Sequence, residues 1–291
     1  MSATAYSFRR GPRAITDPFV RGLVADMTYE LVPMKSLAAR LPDLPANARI
    51  SVTASPVKSL EETLDVCAEL LDLGHRPVPH LAARMVADAD QVAAIAARCK
   101  RLGLTEVFCI GGDREEPGAY PDAMAFLREL LDVAAGDITT VGVGSYPDGH
   151  AFIPEEALRA ALVEKQELFA AAGVDGHATT QMCFSADTIR TWLRAERAAG
   201  LTLPVHLGLP GVVDRTKLMT MGMRVGVGAS LRYLKKNKAG LTRLFASPGY
   251  NPSALVDPLG GDFETLGIAG LHTYTFNQVA ATHEWQRAVL G

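Results

Sequence analysis

The sequence predicts a single (β/α)8 barrel preceded by a short extension. Three observations carry this expectation. Eight short apolar runs alternate with amphipathic Ala/Leu/Glu-rich stretches from residue 27 onward, and eight strands with intervening helices over about 260 residues is the count of such a barrel. Several of the amphipathic stretches stop at a glycine just before the next apolar run, at Gly74, Gly103, Gly173 and Gly200, which is the chemistry of a left-handed helix C-cap. No low-complexity linker or shift in composition marks a second domain, so residues 1–26 read as an extension and 27–291 as the barrel. A doubly wound open sheet is the alternative. It would place a glycine-rich phosphate turn after its first strand, where this chain runs into Pro33-Met34-Lys35-Ser36.

The elements follow in order. The first 26 residues read as irregular and dotted with arginine. Strands are predicted at 27–33, 48–54, 76–82, 106–111, 138–144, 178–184, 204–209 and 270–276, each a short apolar run bounded by turn residues. Helices are predicted at 59–73, 87–102, 121–132, 154–172 and 186–199. The segment 214–265 is the least regular and reads as an elaborated excursion between strands seven and eight, with helices at 215–237 and 241–246.

Composition narrows the function class. Hydrophobic residues make up 48% of the 291 and charged residues 21%, the balance of a folded globular chain. Lys+Arg 29 against Asp+Glu 32 gives a net charge of −3, without the basic excess of a nucleic-acid binder. No apolar stretch reaches the ~18 residues of a membrane span, and no apolar segment of signal-peptide length follows Arg9, Arg10 and Arg13. The expectation is a cytoplasmic protein. Cys67, Cys99, Cys109 and Cys183 form no C-x-x-C pair and read as buried free thiols. The seven histidines show no H-x-H or H-E-x-x-H spacing, so no metal site is expected.

In a barrel, chemistry sits at the C-terminal ends of the strands, and almost every strand ends in a polar residue. Glu30 lies inside the otherwise apolar Met27-Thr28-Tyr29-Glu30-Leu31-Val32-Pro33. A carboxylate there is costly to bury charged, which suits it to act as a general acid. A structural ion pair with an arginine is the competing reading, and on the strand alone it is slightly favoured. Asp113 follows two glycines, Gly111 and Gly112, and reads either as a ligand contact or as a helix cap. His80, alone on its strand, suits a hydrogen-bonded core residue, and Gln181 on an apolar strand needs a partner for its amide. Thr53, Tyr146, His150, Tyr274 and Asn277 complete the set, and the run Arg232, Lys235, Lys236, Lys238 reads as a solvated helix end.

Taken in order, these residues form motifs. They are Tyr29-Glu30-Leu31-Val32-Pro33, Ser51-Val52-Thr53, Pro79-His80-Leu81, Gly112-Asp113 with a downstream Tyr120, Tyr146-Pro147-Asp148-Gly149-His150, Thr180-Gln181-x-x-Phe184 and Tyr274-Thr275-x-Asn277. With these seven motifs on successive strands, the chain resembles the methylenetetrahydrofolate reductase family over about residues 27–285. The resemblance implies a barrel that binds FAD at the strand C-termini. It also implies interconversion of 5,10-methylenetetrahydrofolate and 5-methyltetrahydrofolate with NAD(P)H. It makes Glu30 the acid that opens the methylene bridge and Asp113 a residue that contacts the pterin and tunes the flavin. Gln181 and Tyr274 would contact the substrate, while Thr53, His80, Gly111, Gly112, Tyr120, Tyr146 and His150 would line the flavin. A homo-oligomer is expected, as relatives commonly assemble.

The chain also departs from the family pattern. Gly111 stands where an arginine is frequent, and Lys165 is the one lysine near the expected basic run of the fifth helix. Gln278 follows Asn277 where an arginine often binds folate. Lys217 and Met221 fall near a family glutamine and aromatic. These departures make flavin-independent hydride transfer from NADH to the folate the first alternative. A folate-dependent methyl transfer to a corrinoid and a non-catalytic folate- or flavin-binding module are the others.

Overall fold

The computed structural model describes residues 12–34, 37–55, 57–214 and 249–291. Eight parallel strands close into a barrel. They are β1 (Thr28–Leu31), β2 (Arg49–Val52), β3 (Arg76–Ala82), β4 (Glu106–Ile110), β5 (Thr140–Ser145), β6 (Asp175–Thr180), β7 (Val205–Pro210) and, after a separate short pair β8 (Val213–Asp214) and β9 (Gly249–Tyr250), β10 (Ile268–Tyr274). β10 closes the ring between β7 and β1, pairing Thr28 with His272 and Glu30 with Tyr274. The outer layer holds α1 (Pro18–Ala25), α2 (Leu60–Asp72), α3 (Ala89–Leu102), α4 (Ala123–Ala134), α5 (Glu155–Ala172), α6 (Ala186–Ala198), α7 (Ser253–Leu259) and α8 (Val279–Leu290).

Local chemistry sets the helix ends. Ser59 and Glu62 form a reciprocal capping box on α2, and Asp88, Asp122 and Ser185 cap α3, α4 and α6 through backbone N–H groups. Gly103 and Gly173 end α3 and α5 in the left-handed conformation, as the helix-stop pattern predicts. Residues 12–26 are more regular than their sequence suggests. Asp17 caps α1, whose Val20 and Val24 are buried in the common core, and Arg21 donates to Ile15 and Leu290 carbonyls.

Side chains alternate across each strand. Tyr29, Leu31, Ile50, Val52, Val107, Cys109, Val141 and Val143 face the helices and build the core between the two layers. The opposite face fills the barrel, and there the sequence expectation needs correction. Strand six is predicted at 178–184 but runs Asp175–Thr180, because its interior residues, His177 and Thr179, are polar and hide the strand from an apolar pattern. Cys183 therefore lies beyond the strand. All four cysteines are buried and free.

Gly208 is where the interior tolerates no side chain. A Cβ there would sit 2.0 Å from the Thr180 carbonyl oxygen and 2.8 Å from the Tyr274 ring. Gly208→Ala is expected to cost about 3 kcal/mol and lower Tm by roughly 6–12 °C. An unchanged melting curve would show that the β6–β7–β10 seam yields more easily than its packing implies.

Candidate active site

The mouth of the barrel is assembled from the ends of β1, β5, β6 and β10. Glu30 points inward from β1, and its Oε2 lies 3.0 Å from Nε2 of His272 on β10. Among the described residues the carboxylate is thus paired with a histidine and not with an arginine. Its backbone is clamped from the same strand end. Thr275 Oγ1 donates to the Glu30 carbonyl, while Asn277 accepts from the Val32 N–H and donates to the Val32 carbonyl, both at 2.9 Å. Asn277 takes a positive φ of 58° to reach this double bond. It is a positioning residue for β1.

Tyr274 lies across the floor of the mouth and donates its hydroxyl to the Thr180 carbonyl at 2.9 Å. Burial, with the nearby Glu30 and Tyr146, pushes its phenol well above the ordinary range, so it stays a neutral donor. Tyr146 folds back from the end of β5, with its hydroxyl 3.4 Å from the position a Gly144 Cβ would occupy. Burial and then the charge of Asp113 raise the Tyr146 phenol. His150 packs edge-on to Tyr146, at 5.0 Å between centroids. Asp113 and His150 are exposed, and Thr53 and Gln181 are half-buried at the rim. Gln181 Oε1 accepts from the Met182 N–H, which leaves its amide N–H groups available to a ligand. Gly112 has φ +89°, and a Cβ there would sit 3.1 Å from Ala82 Cβ, while the space beside Gly111 is open.

Two sequence-predicted residues lie elsewhere. His80 is deep in the interior, where it shares a hydrogen bond of 2.5 Å with Ser51 Oγ and stacks on Phe108 at 4.5 Å. Tyr120 turns into the helix layer, edge-on to Phe126, and donates its hydroxyl to Glu129 on α4. Its position in the sequence brings it near the β4 loop, but apolar packing under α4 captures the ring. Lys165, the sole lysine near the expected basic run, is half-buried, and its ammonium donates to the Ala161 carbonyl of its own helix. Lys217, Met221, the run Arg232 to Lys238 and the predicted helices at 215–237 and 241–246 lie outside the described residues.

Beneath the mouth lies a polar interior that individual residues did not announce. Four of the seven histidines, His80, His177, His206 and His272, face inward with Arg49 and Glu106. Glu106 pairs with Arg49 and lies 3.1 Å from His177 Nε2, and His177 stacks on His206 at 3.9 Å. Burial pushes Glu106 up, but the His177 hydrogen bond and the Arg49 charge win and hold it below the usual carboxylate range. Burial lowers the imidazole of His177 against the raising pull of Glu106, takes His80 down to about 3 and takes His206 down to about 2. The signal for this cluster is a period-two alternation on strands, as in Arg49-x-Ser51, Glu106-x-Phe108 and His272-x-Tyr274. Among the described residues, no three His, Cys, Asp or Glu side chains converge as metal ligands. No described helix is long and apolar enough to cross a membrane.

Comparison with known proteins bears on this arrangement. A protein from Clostridium thermocellum, uncharacterized and solved with two copies of 5-methyl-5,6,7,8-tetrahydrofolic acid, superposes with a TM-score of 0.60 at 12% identity, covering 91% of this chain and 93% of that one. At that identity the likeness is one of fold. A putative phosphonomutase from Burkholderia cenocepacia J2315 (TM-score 0.49, 12% identity, 94% and 97% coverage) and oxaloacetate acetylhydrolase with 3,3-difluorooxalacetate (0.49, 12%, 91% and 82%) are also similar. The family model for methylenetetrahydrofolate reductase matches residues 33–225, from the end of β1 past β7 and across the motifs that line most of the mouth. With two thirds of the sequence matched and the eight-stranded barrel in place, this chain belongs to the methylenetetrahydrofolate reductase family.

Proposed function

We propose that the chain interconverts 5,10-methylenetetrahydrofolate and 5-methyltetrahydrofolate with NAD(P)H, with Glu30 as the proton donor. The observation that carries this reading is a carboxyl group on the inner edge of the mouth, held by His272 and by its clamped backbone, beside a neutral Tyr274. Glu30 precedes the matched residues, so its role rests on the Tyr29-to-Pro33 motif and on this geometry. Opening the methylene bridge requires a proton on the departing nitrogen while hydride adds to the carbon, and an acid fixed at one side of the substrate lowers that barrier. Gln181 would donate to the pterin edge from across the mouth. Asp113 would accept from the pterin or bias the ring of a bound cofactor. The folate-bound state of the Clostridium thermocellum protein supports a folate as the ligand.

FAD, when bound, supplies a carrier that takes hydride from the nicotinamide and passes it to the folate. The ring side of the mouth fits it: the open Gly111, the Gly112 turn, Tyr146, His150 and Thr53 present flat and small surfaces around β2, β4 and β5. The diphosphate side fits less well. Lys165 is bonded to its own helix, and Arg84 donates to the carbonyls of Arg114, Glu115 and Pro121. FAD and NAD(P)H each carry a diphosphate, so a second reading, in which NAD(P)H occupies the ring site and hydride passes to the folate directly, asks for one such site instead of two.

The absorption spectrum of the purified protein, followed by anaerobic NAD(P)H and then methylenetetrahydrofolate, separates these readings. A flavin band that bleaches with NAD(P)H and returns with folate is expected for the FAD reading. A colourless protein that oxidises NAD(P)H with folate establishes direct transfer. A protein inactive in both respects, even with FAD added, overturns the proposed reaction and favours corrinoid methyl transfer or a silent binding module.

A further inference from the structure

We propose that Glu30 is reprotonated from the opposite end of the barrel, along an interior path through His272, His177 and Glu106. The inference rests on Glu30 being the proton donor. In the forward reaction, hydride brings two electrons to the methylene carbon and NAD(P)H becomes NAD(P)+. The bond from that carbon to N10 breaks with its electron pair on nitrogen, and N10 takes the Glu30 proton. Glu30 is left as a carboxylate, and one proton must come from solvent in each turnover. Folate and its hydride donor then lie over the mouth, and Glu30, already 15% exposed, loses its contact with water on that side.

The interior offers another route. Glu30 Oε2 lies 3.0 Å from His272 Nε2, and His272 lines a small void together with Thr28, Arg49, Ser51, Val78, Glu106, Phe108, His177 and His206. The void has room for about one water molecule and has polar groups on several sides, the conditions for an ordered bridging water. On its far side His177 Nε2 meets Glu106 Oε1 at 3.1 Å, and Glu106 pairs with Arg49. Arg49 and Glu106 are the first residues of β2 and β4, so they lie at the end remote from the mouth, and their side chains remain 23% and 17% exposed. Solvent therefore reaches one end of the chain of groups and Glu30 stands at the other. An imidazole passes a proton by accepting on one nitrogen and releasing from the other; His177 has Nε2 at Glu106 and Nδ1 3.5 Å from Thr179 Oγ1. His80, bonded to Ser51, and His206, stacked on His177, flank the path and hold its rings in place.

The test is a single-turnover experiment with a pH indicator, recording NAD(P)H oxidation and proton uptake together. In the parent protein, proton uptake is expected to keep pace with hydride transfer and to precede product release. In Glu106→Gln, and independently in Thr28→Val, which dries the void without touching the ion pair, hydride transfer should persist while proton uptake falls about tenfold behind it, to the pace of release. Uptake that stays synchronous in both variants, or that lags in the parent, overturns the path. Hydride transfer and uptake slowing together would reveal a structural role and also overturn it. Glu30→Gln tests the underlying reading separately: if it turns over normally, the proton donor is misassigned, whereas if it is inactive and the two interior variants are normal, only the path fails.

Discussion

Glu30→Gln is expected to lower kcat for NAD(P)H-driven reduction of methylenetetrahydrofolate by about 10²- to 10⁴-fold, the usual contribution of a positioned general acid. The substitution is chosen to remove the acid and little else. Glutamine has the same length, its amide oxygen still accepts from His272, and the backbone bonds from Thr275 and Asn277 are untouched. Folate binding should therefore hold, with KM within a few-fold of the parent, and the loss should appear in the hydride-transfer step itself. If NAD(P)H is first consumed to reduce a bound flavin, that half-reaction needs no proton on folate nitrogen and should be spared. A variant with parental kcat would remove Glu30 from the chemistry and leave its pairing with His272 as a structural ion-pair-like contact.

Most of this architecture is legible in the sequence, for a physical reason. Outward-facing strand residues and helix stripes obey periodicities of two and 3.6 because they share one apolar layer, and the caps at Asp88, Asp122, Gly103 and Gly173 are set by groups within a few residues of each other. What is hard to read depends on the other seven strands. His177 becomes a buried neighbour of Glu106 only because β4, β5 and β6 stand side by side, although the two residues are 71 apart in sequence. Likewise Glu30 acquires His272, 242 residues away, from the closure of the barrel between β1 and β10. Tyr120 shows the converse. Its place after β4 suggests the mouth, and only the packing of α4 reveals that Phe126 and Glu129 hold it in the outer layer. The motif-borne mouth residues were thus visible one by one, whereas the polar interior that connects them is a property of the closed ring.

That interior makes the fold sensitive to acid. His80 and His206 titrate near 3 and 2 in the folded chain, and burial also lowers His177, whereas in the unfolded chain an unperturbed histidine titrates near 6.5. Below about pH 6.5 the unfolded state therefore binds protons that the folded state refuses, and stability falls as pH falls. His80 and His206 each cost about 2 kcal/mol by pH 5 relative to pH 8, with a limiting slope of about 1.4 kcal/mol per pH unit. The two together approach about 4 kcal/mol, a large part of the 5–15 kcal/mol typical of a whole domain. His177 adds a loss of the same sign, its imidazole lowered by burial against the pull of Glu106. Glu106, itself held below the usual carboxylate range, adds a loss of the same sign only once pH falls through its own lower range. Urea unfolding at steps from pH 8 to pH 5 is expected to show this decline. His206→Gln should start lower at pH 8, because it gives up the stacked contact with His177, yet fall more gently, by about one proton's slope. Equal stability at pH 8 and pH 5 in the parent would mean that the interior histidines gain protons without unfolding, with water entering the barrel to solvate them.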